Sequence, residues 1–280
     1  MLTIKNLLLK GLQTLQPEVD SPQLEAEILL SLALGKNRSY LKAWPEREVS
    51  GEQACCFDHL IHKRSEGTPI AYLTGQREFW SRDFAVNPDV LIPRPETELL
   101  IEVALTLIPQ TSAFKVIDLG TGSGIIAITL AAEKPLIEVT AVDNSSSALK
   151  VAQINARSHK AENITFIQSH WFDQIKGHSF DLVVSNPPYI APEDPHLLTG
   201  DVRFEPQNAL IAANRGLDDI EAIAGKALSH LQPQGHLLIE HGYNQQNEVQ
   251  AIFREFHYQN IQTYRDLSGH PRVTYGQRQS

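Results

Sequence analysis

Five residues of turn constrain the fold more than any other part of this chain. The apolar run Val116-Ile117-Asp118-Leu119 reads as a buried strand, enters Gly120-Thr121-Gly122-Ser123-Gly124, and continues as the helical Ile125-Ile126-Ala127-Ile128. In a doubly wound α/β sheet such a turn lies at the carboxyl ends of the strands, where ligands bind, and glycines let the backbone approach the ligand closely. The following chain obeys the same grammar. A helix is predicted over 95–108, then strands over 115–119, 138–142, 165–168, 180–185 and 235–240. They alternate with helices over 124–133, 145–159, 216–231 and 245–256, and a last strand pair is expected near 261–264 and 272–275. Such alternation predicts βαβ units and a mostly parallel sheet with helices on both faces.

Residues before this region are spaced differently. Ile4, Leu8, Leu12 and Leu15 form one helical stripe, and Leu24, Ile28 and Leu32 a second. Asp20-Ser21-Pro22 starts a helix and Gly35 stops it; Ser50 and Gln53 form a capping box, Gly67 ends that helix, and Thr68-Pro69 opens a short one closing at Gly75. From Gln76 to Pro93 the aromatic and β-branched residues, with Asn87-Pro88-Asp89 as turn chemistry, suggest a hairpin. The expected organisation is a helical domain over 1–75, a hairpin connector over 76–93, and the α/β domain over 94–280.

Charge then narrows the partners. Among 280 residues, 24 Lys and Arg stand against 33 Asp and Glu, a net charge of −9, the wrong sign for a surface that grips phosphate backbones. Cys55 and Cys56 are the whole cysteine complement and are adjacent, which leaves no disulfide framework and no four-cysteine metal site. No His, Cys and carboxylate constellation suggests a metal elsewhere. The absence of an apolar run of about 18 residues argues against a membrane span. A cytoplasmic protein is expected.

The chemistry concentrates at two strand ends. The spacing at the glycine turn is G-x-G-x-G, with an acidic residue before it and Asp143 closing the next strand. A carboxylate there can accept hydrogen bonds from both hydroxyls of a ribose, although Asp143 alone could equally cap the following helix. The pattern favours S-adenosylmethionine over a nicotinamide dinucleotide. Asn186-Pro187-Pro188-Tyr189 follows directly on the buried run Phe180–Ser185. Two prolines fix their φ angles and lack N–H donors, so the loop presents carbonyl acceptors beside the Asn186 side-chain oxygen. Two fixed acceptors can hold an NH2 group by both hydrogens and stabilise the positive charge that develops when its nitrogen attacks. Tyr189 would wall the planar group. Either a side-chain amide or the exocyclic amine of a DNA or RNA base would fit, and a silent cofactor-binding scaffold is the third alternative.

With these residues in view, the chain resembles the PrmC/HemK protein-glutamine N5-methyltransferases. Besides the two motifs above it carries Gly67-Thr68-Pro69-Ile70-Ala71-Tyr72-Leu73-Thr74-Gly75, Arg77-Glu78-Phe79-Trp80, Leu91-Ile92-Pro93-Arg94-Pro95-Glu96-Thr97-Glu98, and Gly200-Asp201-Val202-Arg203-Phe204-Glu205-Pro206. The resemblance implies a class I S-adenosylmethionine-dependent fold with a seven-stranded sheet behind a small helical domain. It further implies methylation of the glutamine in the Gly-Gly-Gln tip of class 1 peptide chain release factors, by a monomer. Carried over by position, Gly120, Thr121, Gly122, Ser123, Gly124 and Asp143 would bind S-adenosylmethionine, Trp171 would line its adenine, and Asn186 would touch both cofactor and glutamine. Asn186 and the Pro187 carbonyl would accept from the amide, Pro188 and Tyr189 would pack around it, and the helical domain would dock the release factor. His170 stands where the family often has an acidic residue. Arg94 and Glu96 would shape the substrate entrance or form a structural pair.

Overall fold

Helices in the first part of the chain begin and end where side chains can satisfy free backbone groups. Thr3 caps α1 (Ile4–Leu15) by accepting from the Asn6 N–H, Pro22 opens α2 (Pro22–Leu34), and Asn37 caps α3 (Arg38–Ala43). The Ser50 and Gln53 capping box starts α4 (Gly51–Ser65), and Gly75, with φ of 73°, closes α5 (Ile70–Thr74). The computed structural model describes residues 2–16, 19–110 and 113–280. It divides into two units: one extends to Gln76 and includes Leu198–Phe204, and the other comprises Arg77–Leu197 and Glu205–Ser280.

Within the first unit the buried faces differ from the expected stripes. In α1 the buried residues are Ile4, Leu7, Gly11 and Leu15, with Leu8 and Leu12 half-buried. Gly11 explains the rotation, because a Cβ there would lie 2.8 Å from the Phe57 ring; the missing side chain is what lets α4 pack against this face. In α2 the face is Ala26, Leu29 and Leu30, while Leu24 and Leu32 are exposed. That helix is apolar nearly all round, so its periodicity could not choose a side. α3, unforeseen, is six residues long and buries one of them, Leu41. Arg64 holds the returning segment. Buried, it pairs with Glu25 and donates through Nη1 to Asp201 at 3.1 Å and to the Gly67 and Thr68 carbonyls at 3.3 Å.

The hairpin exists, with its turn elsewhere than expected. β1 (Gln76–Phe79) and β2 (Arg82–Ala85) are joined by Trp80-Ser81, both left-handed at φ of 52° and 56°, the geometry of a two-residue hairpin turn. Carboxylates substitute for the usual Asn-Gly signal: Glu98 accepts from the Trp80 N–H at 3.1 Å and Glu78 from the Ser81 N–H at 2.7 Å. Asn87-Pro88-Asp89 does turn the chain, with Asn87 accepting from the Asp89 N–H, but no strand follows it.

Among the described residues seven strands form one sheet: β3 (Lys115–Leu119), β4 (Glu138–Asp143), β5 (Ile164–Gln168), β6 (Phe180–Ser185), β7 (Leu231–Glu240), β8 (Gln259–Arg265) and β9 (Pro271–Gln277), in the order β5-β4-β3-β6-β7-β9-β8. All pairs are parallel except those of β9 with β7 and β8. α6 (Thr97–Leu107) and α7 (Ile125–Glu133) bury Leu100, Ile101 and Leu130 against one face. α8 (Ser146–Ser158) adds Ala156 to that layer. On the other face α10 (Asp218–His230), which follows the short, kinked α9 (Ala213–Gly216), and α11 (Gln246–Glu255) bury Ile223 and Phe253 against Ile117, Val183 and Leu237. Order reverses between β3 and β6, the switch point where open α/β sheets bind ligands.

Candidate active site

The two motifs leave adjacent strands. Leu119 at the end of β3 pairs with Ser185 at the end of β6, and the Ser185 hydroxyl donates to the Leu119 carbonyl at 2.7 Å. After Leu119 the turn is built backbone first: Gly120 and Thr121 donate to the Val142 carbonyl, and the Gly122 N–H donates to Asp143 Oδ2 at 2.9 Å. Gly120 has φ of 73°, and a Cβ there would meet the Trp171 ring at 3.4 Å. Beneath the turn lies Asp118, fully buried, accepting from the Thr121 hydroxyl and the Ala127 N–H. Burial pushes its carboxyl up to about 7.

Gly120, Gly122, Asp143, Trp171, Asn186 and Pro188 line one cleft, together with His170. Thr121, Ser123, Gly124, Pro187 and Tyr189 are not part of its lining. Thr121 and Ser123 are buried in the turn, and a Cβ on Gly124 would meet Ala152 at 3.1 Å, so this glycine serves helix packing. Pro187 is buried, and Tyr189 packs against the core of Ile223 and Phe253. Asp143 does two jobs at once. Its Oδ2 holds Gly122 while its Oδ1 accepts from the Ser145 N–H at 2.9 Å, and Ser145 itself caps α8. Burial raises the Asp143 carboxyl above its ordinary value, against the pull of the Ser145 and Gly122 N–H groups. Trp171, left-handed at φ of 45°, donates from its ring nitrogen to Asp219 at 3.1 Å, which fixes the ring beside Gly120. Asp219 also lines the cleft and was not foreseen.

At the end of β6, Asn186 Nδ2 donates to the Thr97 hydroxyl at 3.1 Å. With the amide nitrogen so committed, Oδ1 is the acceptor left for the cleft. The loop beyond is pinned on both sides. Gln245 Nε2 donates to the Tyr189 and Arg215 carbonyls, both at 3.0 Å, and Ile190 bridges Ile211 through backbone hydrogen bonds to Leu210 and Ala212. Burial raises the Tyr189 phenol above its ordinary pKa, so the hydroxyl keeps its proton. Arg94 pairs with buried Glu205, whose other oxygen accepts from the Ile92 N–H, and Glu96 lies 4.0 Å from Arg272. His170 is exposed near Asp173.

Gly216 adds a tight fit. A Cβ there would fall 2.0 Å from the Tyr189 carbonyl oxygen, and φ is 82°. Gly216→Ala is expected to cost about 1–3 kcal/mol from the strained φ alone, and to push the Tyr189 carbonyl off Gln245. Thermal melting and kcat/KM of the variant check this; an unchanged melting temperature would refute it.

Sheet order, switch point and paired strand-end motifs define a class I methyltransferase. Residues 96–202 match the family described as "Methyltransferase small domain", and residues 6–75 match "PrmC N-terminal domain". A solved methyltransferase from Pyrococcus furiosus superposes with a TM-score of 0.55 at 13% identity, covering 80% of this chain and 98% of that one. A ribosomal protein L11 methylase from Lactobacillus delbrueckii subsp. bulgaricus gives 0.51 at 21% identity, covering 70% and 84%. At that identity the likeness is one of fold. The sequence relatives carry more. A release factor glutamine methyltransferase from Shewanella oneidensis is 48% identical over 257 residues, covering 92% of this chain and 90% of the relative; one from Aliivibrio fischeri is 45% identical over 278 residues, covering 99% and 98%. The chain belongs to the release factor glutamine methyltransferase family.

Proposed function

We propose that this protein methylates the side-chain amide nitrogen of the glutamine in the Gly-Gly-Gln motif of class 1 peptide chain release factors, using S-adenosylmethionine. The observation that carries the reading is the Asn186 amide: its nitrogen is held by Thr97, so its oxygen is the group offered to the cleft that Asp143 and Gly122 also line. The cleft fits the cofactor's chemistry. Glycine backbone permits close approach, Asp143 offers a strand-end carboxylate for ribose hydroxyls, and Trp171 offers a flat apolar wall for a purine.

When bound, S-adenosylmethionine supplies an electrophilic sulfonium methyl, and sulfur keeps the electron pair of the broken bond. The residues of this chain prepare the nucleophile. Asn186 Oδ1 and the Pro187 carbonyl each accept one hydrogen of the glutamine NH2, which orients the nitrogen and stabilises its developing positive charge. Tyr189 and Pro188 pack on the planar amide. The nitrogen gains the methyl carbon and sheds one proton to solvent, so no metal is needed. Arg94, paired with Glu205, and Glu96, beside Arg272, border the substrate entrance as structural pairs. In this reading the helical unit docks the release factor, the enzyme acts as a monomer in the cytoplasm, and nucleic acid is not its substrate.

The test is incubation of the purified protein with methyl-labelled S-adenosylmethionine and unmethylated release factor, then mass spectrometry of the Gly-Gly-Gln peptide. One methyl on that glutamine is expected. Label on nucleic acid instead would transfer the same acceptor chemistry to a base, and no label despite measurable cofactor binding would leave a scaffold.

A further inference from the structure

One buried ionisable group near the acceptor loop has no part in the mechanism above. Glu240 ends β7 and is fully buried. Ile239 pairs with Ser185 of β6, so Glu240 stands level with Asn186. Strand alternation turns Glu240 to the side of Leu238, the face that α6 covers. Among the described residues no hydrogen bond of ordinary geometry reaches either carboxyl oxygen. The hydroxyls it faces are those of Thr97, the first residue of α6, and Tyr189 of the acceptor loop.

A buried carboxyl without a formed partner is costly, and its retention calls for a use. Thr97 indicates one. It is buried, and its hydroxyl oxygen already accepts from Asn186 Nδ2. A hydroxyl has one proton to give, and the acceptor it faces is Glu240. Giving that proton to a carboxylate makes the oxygen a better acceptor for Asn186. Resting on the methyl-transfer reading above, we infer that Glu240 is a positioning residue: its carboxylate draws the Thr97 and Tyr189 hydroxyls, so that Thr97 receives Asn186 Nδ2 and Asn186 Oδ1 stays turned to the substrate amide. Glu240 touches neither substrate nor cofactor in this role. It acts on which way the Asn186 amide points, a choice the amide cannot make for itself because its oxygen and nitrogen are nearly the same size.

The relay has a direction in pH. Burial, helped by Glu96, pushes Glu240 up to about 7, against Thr97, Arg272 and Tyr189, which favour the charged form. The other titratable neighbours are settled: Tyr189 is held protonated by burial, Arg94 is paired with Glu205, Arg272 lies by Asp266, and burial lowers His241, which keeps it neutral. Below about 7 a protonated Glu240 can donate to Thr97 and compete with Asn186, so kcat should rise as pH passes upward through this value. Stability runs the other way. A carboxyl whose folded pKa is raised from 4.5 to about 7 contributes stability that is lost as pH rises through about 7.

The experiment compares the full-length wild type with Glu240→Gln, Thr97→Val and Thr97→Ser. Glu240→Gln is expected to lower kcat about tenfold with KM for release factor and cofactor unchanged, and to lose the acid limb near 7. It should also melt higher than the wild type at pH above 8, since no charge is then buried, which separates the effect from misfolding. Thr97→Val should lose activity to the same degree and Thr97→Ser should restore it. Adding Glu240→Gln to Thr97→Val should cost nothing more, because both break one relay; additive losses would mean a merely structural role. Nuclear magnetic resonance of the Asn186 side-chain NH2 reads the relay without substrate: its signals should titrate near 7 in the wild type and not in Glu240→Gln. Full kcat in Glu240→Gln with its acid limb intact, or Asn186 signals indifferent to Glu240, overturns the inference. Titrating Asn186 signals with no methyl on release factor would keep the relay and overturn the substrate reading instead.

Discussion

Asn186→Ala is expected to lower kcat by about 10²- to 10³-fold while leaving most of the affinity for S-adenosylmethionine. The side-chain oxygen is one of two acceptors proposed for the glutamine NH2, and a fixed dipole aimed at developing charge matters most in the transition state. Removing it leaves the Pro187 carbonyl alone, with the amide free to rotate. In the proposed reading cofactor binding draws instead on the glycine turn, Asp143 and Trp171, whose hydrogen bonds to one another and to Asp219 do not run through Asn186. Single-turnover transfer with labelled cofactor, beside calorimetric titration of the same sample, separates the two quantities. Near-normal transfer by the variant would sink the acceptor-pair mechanism.

The second large effect is expected at Asp143. Two charge-assisted hydrogen bonds to a ribose are worth roughly 1.5–3 kcal/mol each, so Asp143→Ala should weaken cofactor binding about 100-fold or more. The same change orphans the Gly122 and Ser145 N–H groups, so the turn loosens as the ligand contact is lost. Asp143→Asn keeps one acceptor and should fall between. Isothermal titration with S-adenosylmethionine measures the series. An Ala variant that binds like the wild type would mean that Asp143 serves only the turn.

What the sequence made legible depended on how local the cause was. β3 and β6 were read to the residue because a central parallel strand is buried on both faces and so is written as an unbroken apolar run. The glycine turn and Asn186–Tyr189 announced themselves because their backbone demands particular residue types. Trp80-Ser81 did not, since its left-handed backbone is held by Glu78 and Glu98, carboxylates that turn prediction does not weigh. The buried face of α1 stayed hidden for a related reason, since Gly11 and the Phe57 ring that packs on it lie far apart in sequence, whereas α2, apolar nearly all round, offered no side to choose. Thr97, Gln245 and Glu240 support the acceptor loop from three separate elements, and only the fold brings them to it. Glu240 did leave one trace, an acidic residue ending Leu237-Leu238-Ile239 much as Asp143 ends β4.

The helical unit is discontinuous along the chain, and this orders events during synthesis. Arg64 emerges from the ribosome early, with Glu25 already available, but Asp201 and the rest of Leu198–Phe204 arrive only after β3 to β6 have been made. A nascent chain therefore carries an incomplete N-terminal unit while most of the parallel sheet is assembling, and translation seals both late. Deleting the first 76 residues is accordingly not a clean excision. It also strips the anchors from a segment that begins eight residues after Ile190, so the activity of such a truncation would report on the loss of that segment's fold as much as on the docking proposed for the helical unit.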